Sequence, residues 1–504
     1  GVLPRRAHRL QTAPRDRVPH RAAQDPRGQD PATRAARQEV TVPVPPALSA
    51  AAAQPGALWA WGANHLGQMG SGPGLDQWTP QPVPGVPQVR SVCANASAVL
   101  ALDGQGRVWS WGWNTGGMLG RGRPADEKAH WLPTALRDRG HPGIDPAGNP
   151  PDTPGLTLTP AQEHGESAEE GADGGADGGA DEGTDAEFDA ELQAFLASIP
   201  VHISPVPVME GVCTPGLLSG LPPVRQIAMG SDNGFALDDN GAVWAWGAGG
   251  RMGTAVPKGL ALPEPAPTPV QVAGLPPVLA IAAHPTGDAV YALDAQGVVW
   301  SWGNGYEGEL GQGKRRTDPV PAPITGLAPV RSIHALGFAA LAVLTDGRVF
   351  GWGSAESGLG FEALRKNTWR VTAPVPVGGL PGPVRSVWVG HGMAVYRLDD
   401  GSTWACGVGL RDMYPGSVGE PPRVPRRQTD LDLFVDFFLG DRHGFALDAA
   451  GGVHGFGRVE SGALGQGEHA ADVLRDWAPI TLLPHPVTTM AAAGHHSLAV
   501  CAAG

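Results

Sequence analysis

The stretch that comes nearest to chemistry is GNGYEGELGQG, residues 303–313, followed by Lys314. A glycine-rich loop ending in Gly-Lys is the raw material of a phosphate cradle, because backbone N–H groups free of side chains can converge on phosphate oxygens. Such a loop ends in Gly-Lys-Ser/Thr and opens a helix. Here Gly313-Lys314 runs into Arg315, Arg316 and a proline-rich segment. The loop also recurs as GANHLGQMGSG (62–72) and GRVESGALGQG (457–467), without the lysine. It is read as a structural turn.

The other reactive residue types give way in the same manner. His284, His334, His391, His443, His495 and His496 fall near one turn in successive copies of a repeat, so they are expected one per unit, separated in space, as turn histidines and not as a shared metal site. GADGGADGGADEG (171–183) has glycine and aspartate but lacks the nine-residue period and apolar position of calcium-binding repeats. Cys93, Cys213, Cys406 and Cys501 are far apart, with no C-x-x-C pair, and are expected as free buried thiols. No G-x-S-x-G or H-E-x-x-H occurs. Hydrolase and metalloenzyme readings therefore have no support, and neither a cofactor nor a metal is expected.

What must position these residues is a set of short strands. The 504 residues include 74 Gly, 51 Pro and 16 Trp, a composition that disfavours helix interiors and suits strands joined by tight turns. Seven segments end in a related pattern: LWAWG (58–62), VWSWG (108–112), VWAWG (243–247), VWSWG (299–303), VFGWG (349–353), TWACG (403–407) and VHGFG (453–457). Their closing glycines are 50, 135, 56, 50, 54 and 50 residues apart, a period that marks a propeller or solenoid. Upstream of all but the first lies an apolar strand such as VRSVCA, a small-residue turn, a second strand such as SAVLAL, and a turn such as DGQG whose Asp and Gly suit a tight hairpin. A proline-bearing fourth strand follows the glycine loop at PQPVPG (80–85), TPVQVAGL (268–275), DPVPAPITGL (318–327), APVPVGGL (373–380) and APITLL (478–483), placed at a rim because proline cannot donate to a ladder. Trp78, Trp131, Trp369 and Trp477 precede it and are read as anchors. Strand alternation is read as setting Trp300 and Trp302 on opposite sides of their sheet.

The first Trp strand lacks an upstream half, and the chain finishes on MAAAGHHSLAV (490–500), which is that half. The expected fold is therefore all-β: a seven-bladed β-propeller of four-stranded antiparallel blades, closed by one blade shared between the N- and C-terminal strands. Residues 55–504 form it, interrupted at 137–204 by an acidic low-complexity insertion. Within that insertion DAEFDAELQAFLASI (185–199) carries Phe188, Leu192, Phe195 and Leu196 at helical spacing, a short helix that could dock on its own propeller or on a partner. Residues 1–54 are an Arg/Pro/Ala-rich leader, read as disordered, with a basic arm for nucleic acid or an acidic partner, or a secretion signal, as the alternatives. ALSAAAAQ (47–54) would place cleavage near Ala53, although Pro43, Pro45 and Pro46 interrupt the apolar stretch. A cytoplasmic location is favoured over a secreted one. The chain begins at Gly1 and is read as a fragment or a trimmed product.

The joined ends MAAAGHHSLAV and ALWAWGANHLGQMGSG (57–72), and the complete copy VVWSWGNGYEGELGQG (298–313), closely resemble the repeat of the regulator of chromosome condensation family over about residues 55–136 and 205–504. The resemblance implies a seven-bladed propeller. The family's founding member is a guanine-nucleotide exchange factor for a Ran-type GTPase that uses one face, with a basic tail engaging chromatin. Other members are binding modules, including a secreted propeller that inhibits β-lactamases. No local motif in this sequence locates the face residues or inserted wedge on which exchange depends.

The net charge of −13 argues against a nucleic-acid surface across the whole molecule, and no run of 18 apolar residues could span a membrane. Lys-poor, Arg-, Ala-, Gly- and Pro-rich usage points to a GC-rich, bacterial host. The expected function is a monomeric, non-catalytic scaffold that binds a protein partner on one face; the alternatives are a guanine-nucleotide exchange factor and a secreted or surface ligand-binding propeller. Candidate contact residues lie where the copies differ: His65, Trp113, Tyr306, Glu307, Arg411 and Tyr414 in the irregular fifth blade near GVGLRDMYPG (407–416), and Phe188 and Phe195 in the insertion. Arg90, Arg225, Arg331 and Arg385, recurring at the first strand, are read as bonds between blades, or as a positive ring for an acidic partner if they share an open face.

Overall fold

The computed structural model describes residues 55–72, 74–122, 212–248, 265–355, 358, 360–361, 369–410, 423–467, 473–483 and 486–502. The leader 1–54, the insertion 137–204 with its 185–199 helix, and Trp131 lie outside the described residues. The regular structure of the described residues is strand, with short 3-10 turns such as Asp430–Leu433.

Five separate four-stranded antiparallel sheets follow one another along the chain. The cleanest copy comprises Val278–Ala283, Ala289–Asp294, Val299–Gly303 and Asp318–Pro323, each pairing with the next. An eight-stranded sheet contains two more such meanders, linked by the single pairing Gly56↔Val89. One of them is Val89–Ala94, Ala98–Asp103, Val108–Gly112 and Val212–Leu217. The other joins the two ends of the chain: Val487–Ala493 pairs with His496–Ala502, which pairs with Gly56–Gly62 from Gly56↔Ala502 to Gly62↔His496. The upstream half missing before LWAWG is thus supplied from the C-terminal strands.

Local chemistry explains the hairpins. In the Asp294 turn one carboxylate oxygen accepts the N–H groups of Gln296 and Val298, both at 2.9 Å, while Gly297 takes φ 78°. The other oxygen accepts Trp300 Nε1–H at 2.9 Å. Asp103 with Trp109 (3.0 Å) and Asp238 with Trp244 (3.1 Å) repeat the arrangement. So the recurrent Asp fixes the turn and tethers the first Trp of the following strand. Trp59, whose preceding hairpin is replaced by the junction of the two chain ends, has no such partner for its indole N–H.

The second Trp, present in five of the seven patterns, is fully buried, and four of these five link neighbouring sheets. Trp61, Trp111, Trp246 and Trp352 donate Nε1–H to the glycine-loop carbonyls of Ala463, Gln68, Met118 and Glu309, at 2.8, 2.8, 2.9 and 2.6 Å. Burying an indole of this size contributes about 4–6 kcal/mol before entropy is counted. The second strand of a meander, such as Ala339–Leu344, is buried along its whole length, so its sequence is a continuous apolar run and does not alternate. The expectation that Trp300 and Trp302 face opposite ways is corrected: both pack against the cluster containing Val290 and Phe235, because residues two apart on a strand share a face.

Candidate interaction face

Antiparallel order sets the two ends of every meander apart. The Asp hairpins lie at one end; the turn between first and second strands and the glycine loop between third and fourth strands lie at the other, here called the loop end. Bonds between successive sheets at the hairpin end use the recurrent arginines. Arg90 and Arg225 donate to the carbonyls of Val224 and Val278, at 2.5 and 2.6 Å, and Arg331 donates to Val384; each acceptor is the first residue of the next sheet. The inter-blade reading of these three holds. The positive-ring reading does not, because their guanidiniums are half-buried against backbone. Arg385 departs from the pattern: it is exposed, and Arg397 from the neighbouring strand takes its place, donating to Phe434 O at 2.7 Å and stacking on Trp388. Of the tryptophan anchors, Trp78 and Trp477 sit half-buried within fourth strands, Trp477 against Phe434 and Phe456 at ring distances of 4.6 and 4.4 Å, but Trp369 has a 49% exposed side chain and is tied by its backbone carbonyl, which accepts Ala355 N–H at 2.7 Å.

At the loop end the first turns of successive sheets touch. Asn95 donates to Gly230 O and Ser231 O, Ser231 to Asp288, and His391 N–H to Gly440 O, while a Cβ on Gly494 would lie 2.9 Å from Ala96. This convergence corrects the expectation that the turn histidines stand apart. His284 and His391 have ring centres 6.4 Å apart, with Thr286 Oγ1 at 2.9 Å from His284 Nδ1 and 3.5 Å from His391 Nδ1. Gly337 lies beside this group, with φ 48°, and a Cβ there would be in ordinary contact with Thr286 Oγ1 at 3.4 Å and His391 Nδ1 at 3.5 Å. Thr286 N–H donates to His284 Nδ1 at 3.2 Å, so that ring carries its proton on Nε2. Burial holds His284 and His443 at about 4 and His496 at about 3, against the opposing pull of Asp441 on the first two, so all three are neutral near pH 7.

A second histidine group forms where the chain ends meet. His443 and Ser497 Oγ are 2.7 Å apart, His496 senses the charges of His65, His443 and His495, and Ala63 N–H donates to His495 O at 2.9 Å. Beside it Glu460 is shared by His495 (3.4 Å), Arg442 (3.4 Å) and Arg458 (3.1 Å). Among the described residues no group of three or more His, Cys, Asp or Glu could hold a metal ion. Burial pushes the Cys93 and Cys406 thiols up to about 12 and Cys501 to about 11, which leaves them protonated and poor nucleophiles.

The predicted contact residues that are described all stand at the loop end. His65 is exposed; Trp113, Tyr306 and Glu307 are half-buried. Glu307 accepts Arg370 Nε–H at 2.9 Å, and Tyr306 O accepts Arg315 Nε–H at 3.0 Å, which ties the glycine loop to its flanks. Arg411, Tyr414, Phe188 and Phe195 lie outside the described residues. Sequence reasoning missed Arg442, Arg458, Glu460 and Glu309. For Glu309 a signal existed: it aligns with Gln68 in the GANHLGQMGSG copy.

Comparison with known proteins now bears on this geometry. Residues 55–102, 105–141 and 296–337 match the Regulator of chromosome condensation (RCC1) repeat, and residues 224–251 match a second description of the same repeat. The chain carries regulator of chromosome condensation repeats. Protein pim1 of Schizosaccharomyces pombe is 28% identical over 51% of this chain and 51% of its own length. Guanine nucleotide exchange factor SRM1 of Saccharomyces cerevisiae is 26% identical over 49% of this chain and 56% of its own. The chain therefore spans about half the length of these curated relatives. Among solved structures, Prp20p of Saccharomyces cerevisiae, described together with its binding to Gsp1p and histones, superposes with a TM-score of 0.63 at 20% identity, over 90% of this chain and 92% of that one. That likeness shows the fold, a β-propeller. With the repeats identified, the Asp–Trp tether and the indole-to-loop bond are what the repeat's recurrent residues do here. No helix among the described residues is long and apolar enough to cross a membrane.

Proposed function

We propose that the seven four-stranded meanders close into one ring and that this ring is a non-catalytic scaffold binding a protein partner across its loop end. The observation that carries the reading is a division of labour between the two ends. Recurrent Asp, Trp and Arg side chains are engaged in bonds within and between sheets. The side chains that differ from copy to copy, His65, Tyr306, Glu307, Arg442 and His495, are exposed or half-buried together at the loop end. A rigid frame presenting varied loops offers preorganised contact area at low entropic cost. In this reading residues 137–204 extend the face, since they depart from a third-to-fourth-strand loop.

Exchange on a small GTPase is the second reading, favoured by the name of the relative SRM1 and requiring binding alone at the same end. Chemical cross-linking of the full chain to captured partners separates the proposals. Cross-links should concentrate at the loop end and weaken in the double variant Tyr306→Ala, Arg442→Glu, while Arg348→Ala at the hairpin end changes nothing. Cross-links mapping to the hairpin end would overturn the scaffold reading. Accelerated release of labelled GDP from a purified host GTPase would replace it with exchange.

A further inference from the structure

His496 is wholly buried, and neither of its ring nitrogens has a hydrogen-bond partner. Buried polar atoms in native proteins are nearly always paired, so an orphaned imidazole marks a place where an ion or a water molecule would meet unsatisfied hydrogen-bonding groups. Its surroundings are unusual among the turns of the repeat. Four segments converge: the loop after Gly56–Gly62, where Ala63 N–H donates to His495 O at 2.9 Å two residues before His65; the turn leading into His496–Ala502, whose His495 lies 3.4 Å from Glu460; the turn with Asp441 and Arg442 that leads into His443–Asp448, where His443 is 2.7 Å from Ser497 Oγ; and the loop after Val453–Arg458 with Glu460. The groups facing His496 electrostatically are imidazoles, His443, His495 and His65. The nearby carboxylates are two, Asp441 and Glu460. Glu460 is already engaged by Arg442, Arg458 and His495, and Asp441 acts on His443. Four imidazoles and two guanidiniums thus face two carboxylates, and no metal geometry is present among them.

We infer that this cluster is an oxyanion site, taking a phosphate or carboxylate group against His65, His495, His496 and Arg442. An oxyanion supplies acceptors to an orphaned N–H, and it stabilises the imidazolium form of its neighbours. Binding is therefore coupled to proton uptake: each histidine that gains a proton alongside the anion adds a charge-assisted hydrogen bond. Asp441 and Glu460 limit the effect, since they compete for the same donors. The site stands independently of the scaffold reading, because a small oxyanion can bind whether or not a protein docks on the loop end.

The test is calorimetric titration of the full chain with inorganic phosphate and, separately, acetate, at about pH 6 and about pH 8, where histidines change charge. Runs in two buffers of different ionisation enthalpy count the protons taken up. Phosphate is expected to bind in the millimolar range or tighter with net proton uptake at the lower pH, and roughly tenfold more weakly at the higher. His495→Ala and Arg442→Ala, both at exposed positions, should each weaken it severalfold, and His496→Phe should abolish it. Preference for phosphate over acetate identifies a phosphate group as the natural occupant, and parity identifies a carboxylate. Absence of binding by either anion, binding without proton uptake, or binding that Arg442→Ala and His495→Ala leave unchanged overturns the proposal. Because those two variants alter surface side chains, a folding failure of His496→Phe does not remove the test.

Discussion

Glu309 offers the sharpest quantitative check on how the glycine loop is built. It is 2% exposed, one carboxyl oxygen accepts Glu307 N–H at 2.7 Å, and its backbone carbonyl accepts both Trp352 Nε1–H and Tyr291 O–H, each at 2.6 Å. Burial, reinforced by the nearby charges of Glu307 and Asp288, pushes its carboxyl up to about 8. A carboxyl raised in the folded state stabilises the fold fully below its ordinary value near 4.5 and loses that contribution as pH rises through about 8. At about pH 7.5 the penalty of keeping it protonated is of order 1.4 kcal/mol for each of some three pH units, so roughly 4 kcal/mol as an upper bound. In the sister loop Gln68 occupies the same place, its side-chain oxygen accepting Leu66 N–H at 2.9 Å as Glu309 accepts Glu307 N–H. Glu309→Gln keeps shape and hydrogen bonding and removes the titration. The variant should be more stable than the parent by about 2–4 kcal/mol at about pH 7.5, the gap closing toward about pH 4.5. Urea unfolding followed by tryptophan fluorescence across that range measures it, with Trp352 beside the substituted residue. An equal gap at both ends of the range, or a variant less stable at neutral pH, would refute the account of a buried neutral carboxyl.

The acid side should behave in the opposite sense. His284, His334 and His443 at about 4 and His496 at about 3 are held neutral by burial, so stability is lost as pH falls from about 6.5 toward those values, and replacing His334 by Asn should lower the slope of unfolding free energy against pH by about one proton. Arg331→Ala removes the bond to Val384 and should cost about 1 kcal/mol in denaturant unfolding, whereas Arg385→Ala should fall within error; the reverse order would contradict the assignment of Arg397 as the substitute link. Gly297→Ala places a side chain at φ 78° with its Cβ 3.0 Å from Pro329, and a loss of more than about 1 kcal/mol is expected from thermal unfolding.

Most of the architecture was legible because it is periodic. A hairpin Asp, a tethered first Trp and a buried second Trp solve the same packing problem in several copies, so related residue types recur at the same spacing and announce strands, turns and the shared terminal sheet. Most fourth strands begin earlier than their proline runs suggested, Arg370–Pro376 for example, because pairing restarts beyond a bulge opposite the closing glycine of the Trp pattern, whereas Asp318–Pro323 begins where its run does. Where a copy departs from the rule, its substitute was hidden: nothing in the sequence says that Arg397 bonds to Phe434 when Arg385 does not.

The candidate face was legible only in outline, and the reason is geometric. Equivalent positions in a repeat are neighbours in pattern, and that encouraged the inference that their histidines are kept apart. At the loop end, however, the turns lean together, so residues as far apart in the chain as Thr286 and His391, 105 positions, come within 3.5 Å. Whether two turn side chains meet depends on what the turns place between them, and here Thr286 bridges the rings, its Oγ1 2.9 Å from His284 Nδ1 and 3.5 Å from His391 Nδ1.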